Sequence, residues 1–285
     1  MKRIRSLIIC ITVVLGLITA CDQKENKKEE ENRKNDSQEM ITVWLPSLVD
    51  YGDYTAKFYY DDFCLDKVIY ESTYGSEEYL FSYNKNKHLT EARIKTSDYE
   101  YSEYSFTYQY TDSSVTTLID NHTFFVAQYD DIGRALRYDY DGYIEEFEYD
   151  KLGRMICTVC YYGGQKKQVI QYSYDSYGRR IISQNYDGIE ISATTSYKYD
   201  EKGRVIEEKT EFEDGRFSTT VYTFDDANGT MEMKMYDEQG LVSLDGYTFC
   251  KMKLTPEEYE VLKVNSFHTR SAELYIYEEQ SGLIN

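Results

Sequence analysis

The chain repeats one short motif: Tyr-Asp, two variable residues, a Gly and usually an Arg. Successive complete copies lie 20, 25 and 25 residues apart. A fixed period of this length is typical of repeat architectures, in which each copy forms one small unit of secondary structure. Four complete copies begin at Tyr129, Tyr149, Tyr174 and Tyr199, and a fifth begins at Tyr236 with Leu241 in place of Arg.

The spacing of Asp and Gly within the motif predicts a tight turn. An Asp at the first position of a type I turn accepts hydrogen bonds from backbone N–H groups two residues on. A Gly three residues later adopts the left-handed conformation that closes a hairpin with a β-bulge. The residues to which we assign this structural role are Asp130, Gly133, Asp150, Gly153, Asp175, Gly178, Asp200 and Gly203.

Second turn signals lie midway between the copies, so one repeat is two antiparallel strands and two turns. At roughly 12 residues per strand and turn the chain makes about 18 strands, and sheets of more than ~10 strands usually curl or close. We therefore predict an all-β fold: a single large antiparallel up-and-down meander of repeated hairpins, strongly curled or barrel-like, with one short C-terminal helix. The second turn signals are Asp141-Gly142, Gly163-Gly164, Asp187-Gly188 and Asp214-Gly215.

The repeat continues more loosely upstream, with degenerate copies at Tyr60, Tyr83 and Tyr110. A first strand is predicted for residues 41–48. With only two prolines and 32 tyrosines, the composition suits a sheet that needs its backbone N–H groups. Because composition does not shift along this stretch, we assign residues 41–285 to one β domain, in which the clear repeats span 129–245.

The pattern changes after the last repeat. Thr255 is a good N-cap, followed by Pro256 and two acids, which predicts a short helix ending near Val264. Residues 272–277 alternate and predict a final strand that covers an end of the sheet.

The first 20 residues have the order of a secretory signal: basic residues, an apolar stretch and small residues before Cys21. This order resembles the lipobox of bacterial lipoproteins, which implies cleavage before Cys21 and lipid on its thiol. Residues 21–40 are then the lipidated cysteine and a disordered, acid-rich tether, because so polar a segment cannot bury enough apolar surface to order itself.

The complete copies, together with the extra Tyr172, Tyr197 and Tyr222 two residues ahead of the motif position, resemble the YD repeat. That repeat is found in Rhs and Tc-type toxin shells and in wall-associated bacterial proteins. With the lipobox, the whole is similar to small bacterial lipoproteins of a domain-of-unknown-function family with a porin-like fold. The resemblance implies a large curled antiparallel sheet. Because the toxin shells are far longer, we do not expect toxin delivery.

No catalytic, metal or cofactor site is predicted. Cys157 and Cys160 have redox spacing but lie inside a predicted strand, where positions three apart face opposite sides. The disulfide state of these two, Cys64 and Cys250 is left open. The three histidines lack ligand spacing, and the recurrent acids are turn formers. The arginines at 134, 154, 179 and 204 are expected to pair with Asp or to stack on Tyr of a neighbouring hairpin.

The net charge of −19 argues against a nucleic-acid partner. Charges on both alternating sets of residues 205–212 indicate aqueous surroundings rather than a lipid-facing wall. Two functions remain open for this envelope protein, which we expect to be anchored in the outer membrane by lipid on Cys21. The first is a non-enzymatic binding module for a glycan or peptide on a tyrosine-rich sheet. The second is a structural component that recruits an envelope protein through a sheet edge.

Overall fold

The computed structural model describes residues 40–97, 103–140, 142–268, 276–278 and 282–284. The predicted signal segment, Cys21 and the tether up to residue 39 lie outside these ranges. So do Asp141 of one predicted turn and most of the predicted final strand.

The predicted all-β meander is confirmed. Eighteen antiparallel strands follow one another around a closed barrel, and each pairs with its neighbour in sequence. The strands are β1 (Ile41–Asp50), β2 (Tyr54–Asp61), β3 (Cys64–Ser72), β4 (Gly75–Tyr83), β5 (Leu89–Thr96), β6 (Glu103–Tyr110), β7 (Ser114–Ile119), β8 (His122–Tyr129), β9 (Ala135–Tyr140), β10 (Tyr143–Tyr149), β11 (Met155–Tyr162), β12 (Gln165–Tyr174), β13 (Arg180–Asp187), β14 (Glu190–Tyr199), β15 (Val205–Phe212), β16 (Phe217–Asp225), β17 (Thr230–Asp237) and β18 (Gly240–Leu254).

Pairing between the first and last strands closes the barrel. Ile41 lies opposite Leu254 and Asp50 lies opposite Gly246, with a β-bulge around Ser47. The Ser47 hydroxyl donates to the Thr248 carbonyl oxygen at 3.0 Å. Two short strands, β19 (Ile276–Glu278) and β20 (Gly282–Ile284), follow, and β19 pairs with β1 near its start.

The antiparallel order gives the barrel two distinct rims. Strand β1 starts beside the end of β18, and each even-numbered strand ends at that same level. The turns containing Asp130, Asp150, Asp175 and Asp200 therefore share a rim with Met40, where the described chain begins. We call this the N-terminal rim. The turns after odd-numbered strands form the opposite rim.

The inner face carries the core: buried positions alternate with more exposed ones in strands such as β2, β7, β10 and β14, whereas β15 and β16 contain no fully buried residue. The main hydrophobic cluster joins β1–β5 with β17 and β18. The helix α1 (Pro256–His268) packs on this face through Tyr259 and Leu262, which are 8% and 2% exposed. Inward residues of the cluster include Val43, Leu45, Phe58, Val68, Phe81 and Leu89.

Helix α1 begins as predicted and extends to His268, four residues beyond the predicted end. The Thr255 hydroxyl accepts from the Glu258 N–H at 3.2 Å, and the Glu258 carboxylate accepts from the Thr255 N–H at 2.7 Å. This reciprocal pair is a capping box. Further along, the Asn265 amide accepts from the Leu89 N–H and donates to the Lys87 carbonyl oxygen, which fastens the helix to the turn before β5.

The Asp-x-x-Gly turns have one recurring geometry. The Asp130 carbonyl oxygen accepts from the Gly133 N–H at 3.1 Å, and its Oδ1 accepts from the N–H groups of Ile132 and Arg134. Gly133 has φ of 83°, a conformation that favours glycine. Burial raises the pKa of the Asp130 carboxyl, but hydrogen bonds from Arg134 and Ile132 lower it further, so the net pKa is below its ordinary value. The same turn hydrogen bonds recur at Asp150, Asp175 and Asp200.

Each turn is tied to the next by its arginine. Arg134 Nε donates to Asp130 Oδ2 at 2.6 Å, and its guanidinium lies 4.8 Å from the Tyr149 ring centroid. Both contacts expected for these arginines are therefore present, within the turn and across to the next hairpin. The equivalent stacked pairs are Arg154 with Tyr174, Arg179 with Tyr199, and Arg204 with Phe224.

Tyrosine hydroxyls add a second link between repeats. Three of the motif tyrosines donate to a backbone carbonyl of the preceding hairpin, at the residue that follows the arginine. Tyr60 and Tyr83 of the degenerate copies donate in the same way, to Pro46 and Leu65. The loosened upstream sequence therefore keeps the contact that the repeat uses. The pairs in the complete copies are Tyr149 with Ala135, Tyr174 with Met155, and Tyr199 with Arg180.

Candidate functional site: an open strand edge

The tyrosines of the chain mostly serve the barrel itself. Among the described residues, those with strongly exposed rings are on separate hairpins: Tyr59 on β2, Tyr74 after β3, Tyr162 on β11 and Tyr177 after β12. A sugar-binding platform needs several rings on one continuous surface. The outer wall described here does not assemble one.

The polar part of the inner wall lies on β11–β16. Arg180, 6% exposed, lies over the Tyr172 ring at 4.0 Å. Burial raises the pKa of the Glu208 carboxyl, and the opposing effects of the Tyr222 hydroxyl, which donates at 3.0 Å, and of Arg180 do not cancel it. These groups are enclosed by one another, so they form a buried polar layer rather than an accessible site.

The cysteines show no sign of reactivity. Within the described ranges Cys64, Cys157, Cys160 and Cys250 are all free thiols. Cys64 borders a cavity of about 450 Å³ at the N-terminal rim, and burial raises its pKa to about 11. A thiol held protonated is a poor nucleophile. Across the same ranges, no three His, Cys, Asp or Glu side chains are grouped as a metal site.

A gap in strand pairing lies at the seam of the barrel. Strand β18 pairs with β17 along residues 240–248, but β1 reaches only to Asp50, opposite Gly246. In the part of the chain that the structure describes, no strand pairs with residues 240–244 on the side away from β17. At ~3.3 Å per residue this leaves about 16 Å of open strand. We call residues 241–244 the β18 edge.

The β18 edge is apolar on the outside. Leu241, Val242 and Leu244 are 54%, 56% and 45% exposed. Leu244 lies opposite Lys234 and therefore points outward, whereas Tyr247, on the inner face, is 3% exposed. A β-bulge at Val242 explains why two consecutive apolar side chains face solvent. An exposed apolar strand with an open backbone edge is a template for pairing with another chain.

One acidic residue, Asp50, ends β1 beside the β18 edge at the opposite rim. Glu238 lies in the turn that leads into β18, but its carboxylate accepts from the Phe217 N–H of β16 at 3.1 Å, on the far side of β17 from the edge. On β17, Lys234 lies opposite Leu244 and forms an ion pair with Glu232. The surface is therefore an apolar strip with one acid, Asp50, at its open side.

The candidate residues from the sequence lie elsewhere. Asp130, Gly133 and their counterparts in the next three repeats form turns at the N-terminal rim, and Cys21 is outside the described residues. The fifth motif copy, which ends in Gly240 and Leu241, forms a turn at the opposite rim. Phe224, 25 residues after Tyr199, takes the fifth place in the row of repeats. The sequence signal for the edge was the replacement of the motif Arg by Leu241, followed by more apolar residues.

No family model matches this chain, and no curated protein matches it. In the described residues, no helix combines the length and apolar character needed to cross a bilayer. Two solved structures are similar in part. A porin-like protein from Bacteroides uniformis has a TM-score of 0.43 and 11% identity, over 74% of this chain and 96% of that one. A Tc holotoxin pore from Photorhabdus luminescens has a TM-score of 0.32 and 11% identity, over 67% of this chain and 14% of that one.

Proposed function

We propose that this protein is a lipid-anchored lipoprotein of the bacterial envelope, held in the outer membrane through Cys21, that binds an extended segment of a protein partner. It acts without catalysis, and binding takes place by addition of a strand to the β18 edge. The observation that supports this role is the unpaired stretch of β18 beyond the end of β1.

Backbone hydrogen bonds would supply the affinity. In an antiparallel sheet every second residue turns its N–H and C=O away from one neighbour and towards the other. Along residues 241–244 those groups face the seam, where β1 has already ended. A partner strand placed there continues the wall of the barrel and satisfies them. This is the peptide-binding mode known as β-augmentation.

Side chains would supply the specificity. A strand beside the edge places its outward residues next to Val242 and Leu244, which favours apolar, β-branched side chains. Asp50, at the end of β1, favours a Lys or Arg in the partner segment where it passes that strand end. The preferred ligand is therefore a short extended peptide with alternating apolar residues and one basic end.

A glycan ligand belongs to the first candidate from the sequence, but the placement of tyrosines does not favour it. The rings that would stack on sugars line the inner wall or link neighbouring repeats. The four exposed rings named above lie on different hairpins. A glycan array therefore serves as the competing arm of the test.

The test uses residues 21–285 with Cys21→Ser, so that neither the apolar signal segment nor a lipid holds the protein to a membrane, and a displayed library of random peptides. We expect enrichment of extended apolar peptides with one basic end. Hydrogen–deuterium exchange should then show slower exchange of amides 241–244 on binding. Leu244→Lys should weaken binding about tenfold or more, because it puts a charge in an apolar contact. The matched control is Leu136→Lys, since Leu136 is 42% exposed on β9, which has partners on both sides.

Three outcomes would contradict the proposal. Equal weakening by both lysine variants would show that the edge is not the site. Protection of amides 241–244 in the absence of peptide, with a doubled mass on gel filtration, would show that a second copy occupies the edge. Selective binding on a glycan array, unchanged by Leu244→Lys, would favour the glycan function instead.

The anchor is tested separately. We expect the wild-type chain expressed in a bacterium to incorporate labelled palmitate and to lose its signal segment, and the Cys21→Ser chain to do neither. Incorporation by both chains would refute lipidation at Cys21. Fractionation of inner and outer membranes then identifies the membrane that holds the protein.

A further inference from the structure

Three consecutive turns of the N-terminal rim each present an apolar side chain at their tip. Ile132, Leu152 and Tyr177 occupy the same position in their turns and are 66%, 68% and 83% exposed. The position precedes the motif Gly, so each side chain lies at the apex of its hairpin. Adjacent turns are in contact, because a Cβ on Gly153 would lie 3.5 Å from the Arg134 guanidinium. The tips therefore form a row along the rim, about 10 Å apart, or two strand spacings.

The residues before Met40 join the barrel at this same rim. Met40 precedes β1, whose start is level with the ends of the even-numbered strands. Residue 21 is 19 positions further towards the N-terminus, and that length of chain reaches at most about 65 Å. The ten residues of β1 span about 33 Å, so this reach allows either rim to meet whatever holds residue 21, but the N-terminal rim is nearer along the chain by the length of β1.

Charges on the rim suit a neutral lipid surface. The turn acids Asp130, Asp150 and Asp175 are each paired with the arginine of their own turn, at 2.6–2.7 Å. Lys151 and Asp131 hold the equivalent place beside the tips Leu152 and Ile132, so these two exposed charges are opposite in sign. Leucine, isoleucine and tyrosine side chains that dip singly between headgroups gain from burial, and tyrosine suits the membrane–water boundary. The net charge of −19 makes an anionic surface unfavourable.

We infer that the N-terminal rim rests on a zwitterionic lipid bilayer through Ile132, Leu152 and Tyr177. The barrel then stands on the membrane with its opposite rim, and the β18 edge, directed away from it. This inference rests on the lipid anchor proposed above, which supplies the proximity. It adds an orientation that the anchor alone does not fix.

The test places a tryptophan on each rim in turn. The variants are Tyr177→Trp, at the N-terminal rim, and Ile189→Trp, at the tip of an opposite-rim turn, where the parent side chain is 94% exposed. Each full-length lipidated protein is bound to phosphatidylcholine vesicles with and without brominated acyl chains, and the signal of the parent protein, from Trp44, is subtracted. We expect bromine to quench the added fluorescence of Tyr177→Trp about twofold or more and to leave that of Ile189→Trp unchanged.

The same measurement on Cys21→Ser chains, held on nickel-chelating lipid by an N-terminal histidine tag, separates the two proposals. Quenching of Tyr177→Trp in that format supports the rim contact even if lipidation fails. No quenching in either format, on vesicles that retain the protein, overturns the rim contact and leaves the anchor standing. Equal quenching of both variants would also overturn it, because the barrel would then lie on its side.

Discussion

Removing one tyrosine hydroxyl from the links between repeats should measure what each link contributes. In Tyr174→Phe the ring stays under the Arg154 guanidinium, 4.9 Å from its centroid, while the hydrogen bond to the Met155 carbonyl oxygen is lost. The barrel itself supplies a precedent, since Phe224 holds the equivalent place opposite Arg204. There the arginine gains a second carboxylate, Asp226, at 2.6 Å. No such replacement lies beside Tyr174.

The size of the effect follows from the hydrogen bond alone. A protein hydrogen bond of this kind contributes about 1 kcal/mol to the free energy of unfolding. For a domain of this size, that amount lowers the Tm by ~2–4 °C. Because Tyr149, Tyr174 and Tyr199 donate to different carbonyl groups, the triple Phe variant should lose about 3 kcal/mol if the three links are independent.

The assay is urea unfolding followed by circular dichroism, with a thermal scan as a second measure. Tyr177→Phe is the matched control, because that ring is 83% exposed at a turn tip and the variant should unfold like the parent. If Tyr174→Phe is no less stable than Tyr177→Phe, the tyrosine hydrogen bonds between repeats do not contribute to the free energy of unfolding. If the triple variant loses much more free energy of unfolding than the three single variants lose together, the links act cooperatively instead.

Three more changes probe separate features. Because folding lowers the pKa of the Asp175 carboxyl, the ionised carboxylate stabilises the fold above about pH 4, and this stabilisation is lost as the pH falls through the pKa of the folded state. In Asp175→Asn the free energy of unfolding should therefore change less with pH between about pH 5 and 2. Folding raises the pKa of the Glu208 carboxyl, so the fold is most stable with Glu208 protonated at low pH and loses stability as the pH rises and the buried carboxyl ionises. Glu208→Gln should therefore need more urea to unfold than the parent at pH 8 and the same amount at pH 4. Gly229→Ala should cost about 2–4 kcal/mol in urea unfolding, since its Cβ would lie 2.8 Å from the Trp44 ring at positive φ, whereas Gly203→Ala, with open space around it, should cost only the backbone strain of about 1–2 kcal/mol.

The local part of the fold could be predicted from the sequence because the repeat encodes it. Asp-x-x-Gly specifies a turn, its flanking residues specify two strands, and the count of such units predicts a closed or strongly curled sheet. The arginine contacts followed from the same regularity, since Arg134 and its counterparts recur at one place in four successive repeats. The degenerate copies at Tyr60 and Tyr83 also kept their place in the barrel.

The seam and the direction of the side chains could not be predicted. Alternation shows that a strand has two different faces, but it does not show which face is inside. The tyrosine-rich face was therefore predicted to be accessible to ligands. Most of those rings instead fill the inner wall or join repeats. The level at which β1 meets β18 depends on the stagger summed over all eighteen strands. No local pattern near Leu241 contains that sum, so the open edge had to be observed.

Closure of the barrel by its first and last strands has a consequence for how the chain folds. A linear repeat array can nucleate at any repeat and grow, since each unit needs only its neighbours. Here the Ser47 hydroxyl donates to a carbonyl oxygen 201 positions away in the sequence. Strand β1 therefore cannot pair on that side until the chain has been synthesised past β18. Such long-range pairing makes folding slow. A chain cut short before Gly240 would carry two full-length bare edges, and it is this form of the protein that we expect to aggregate.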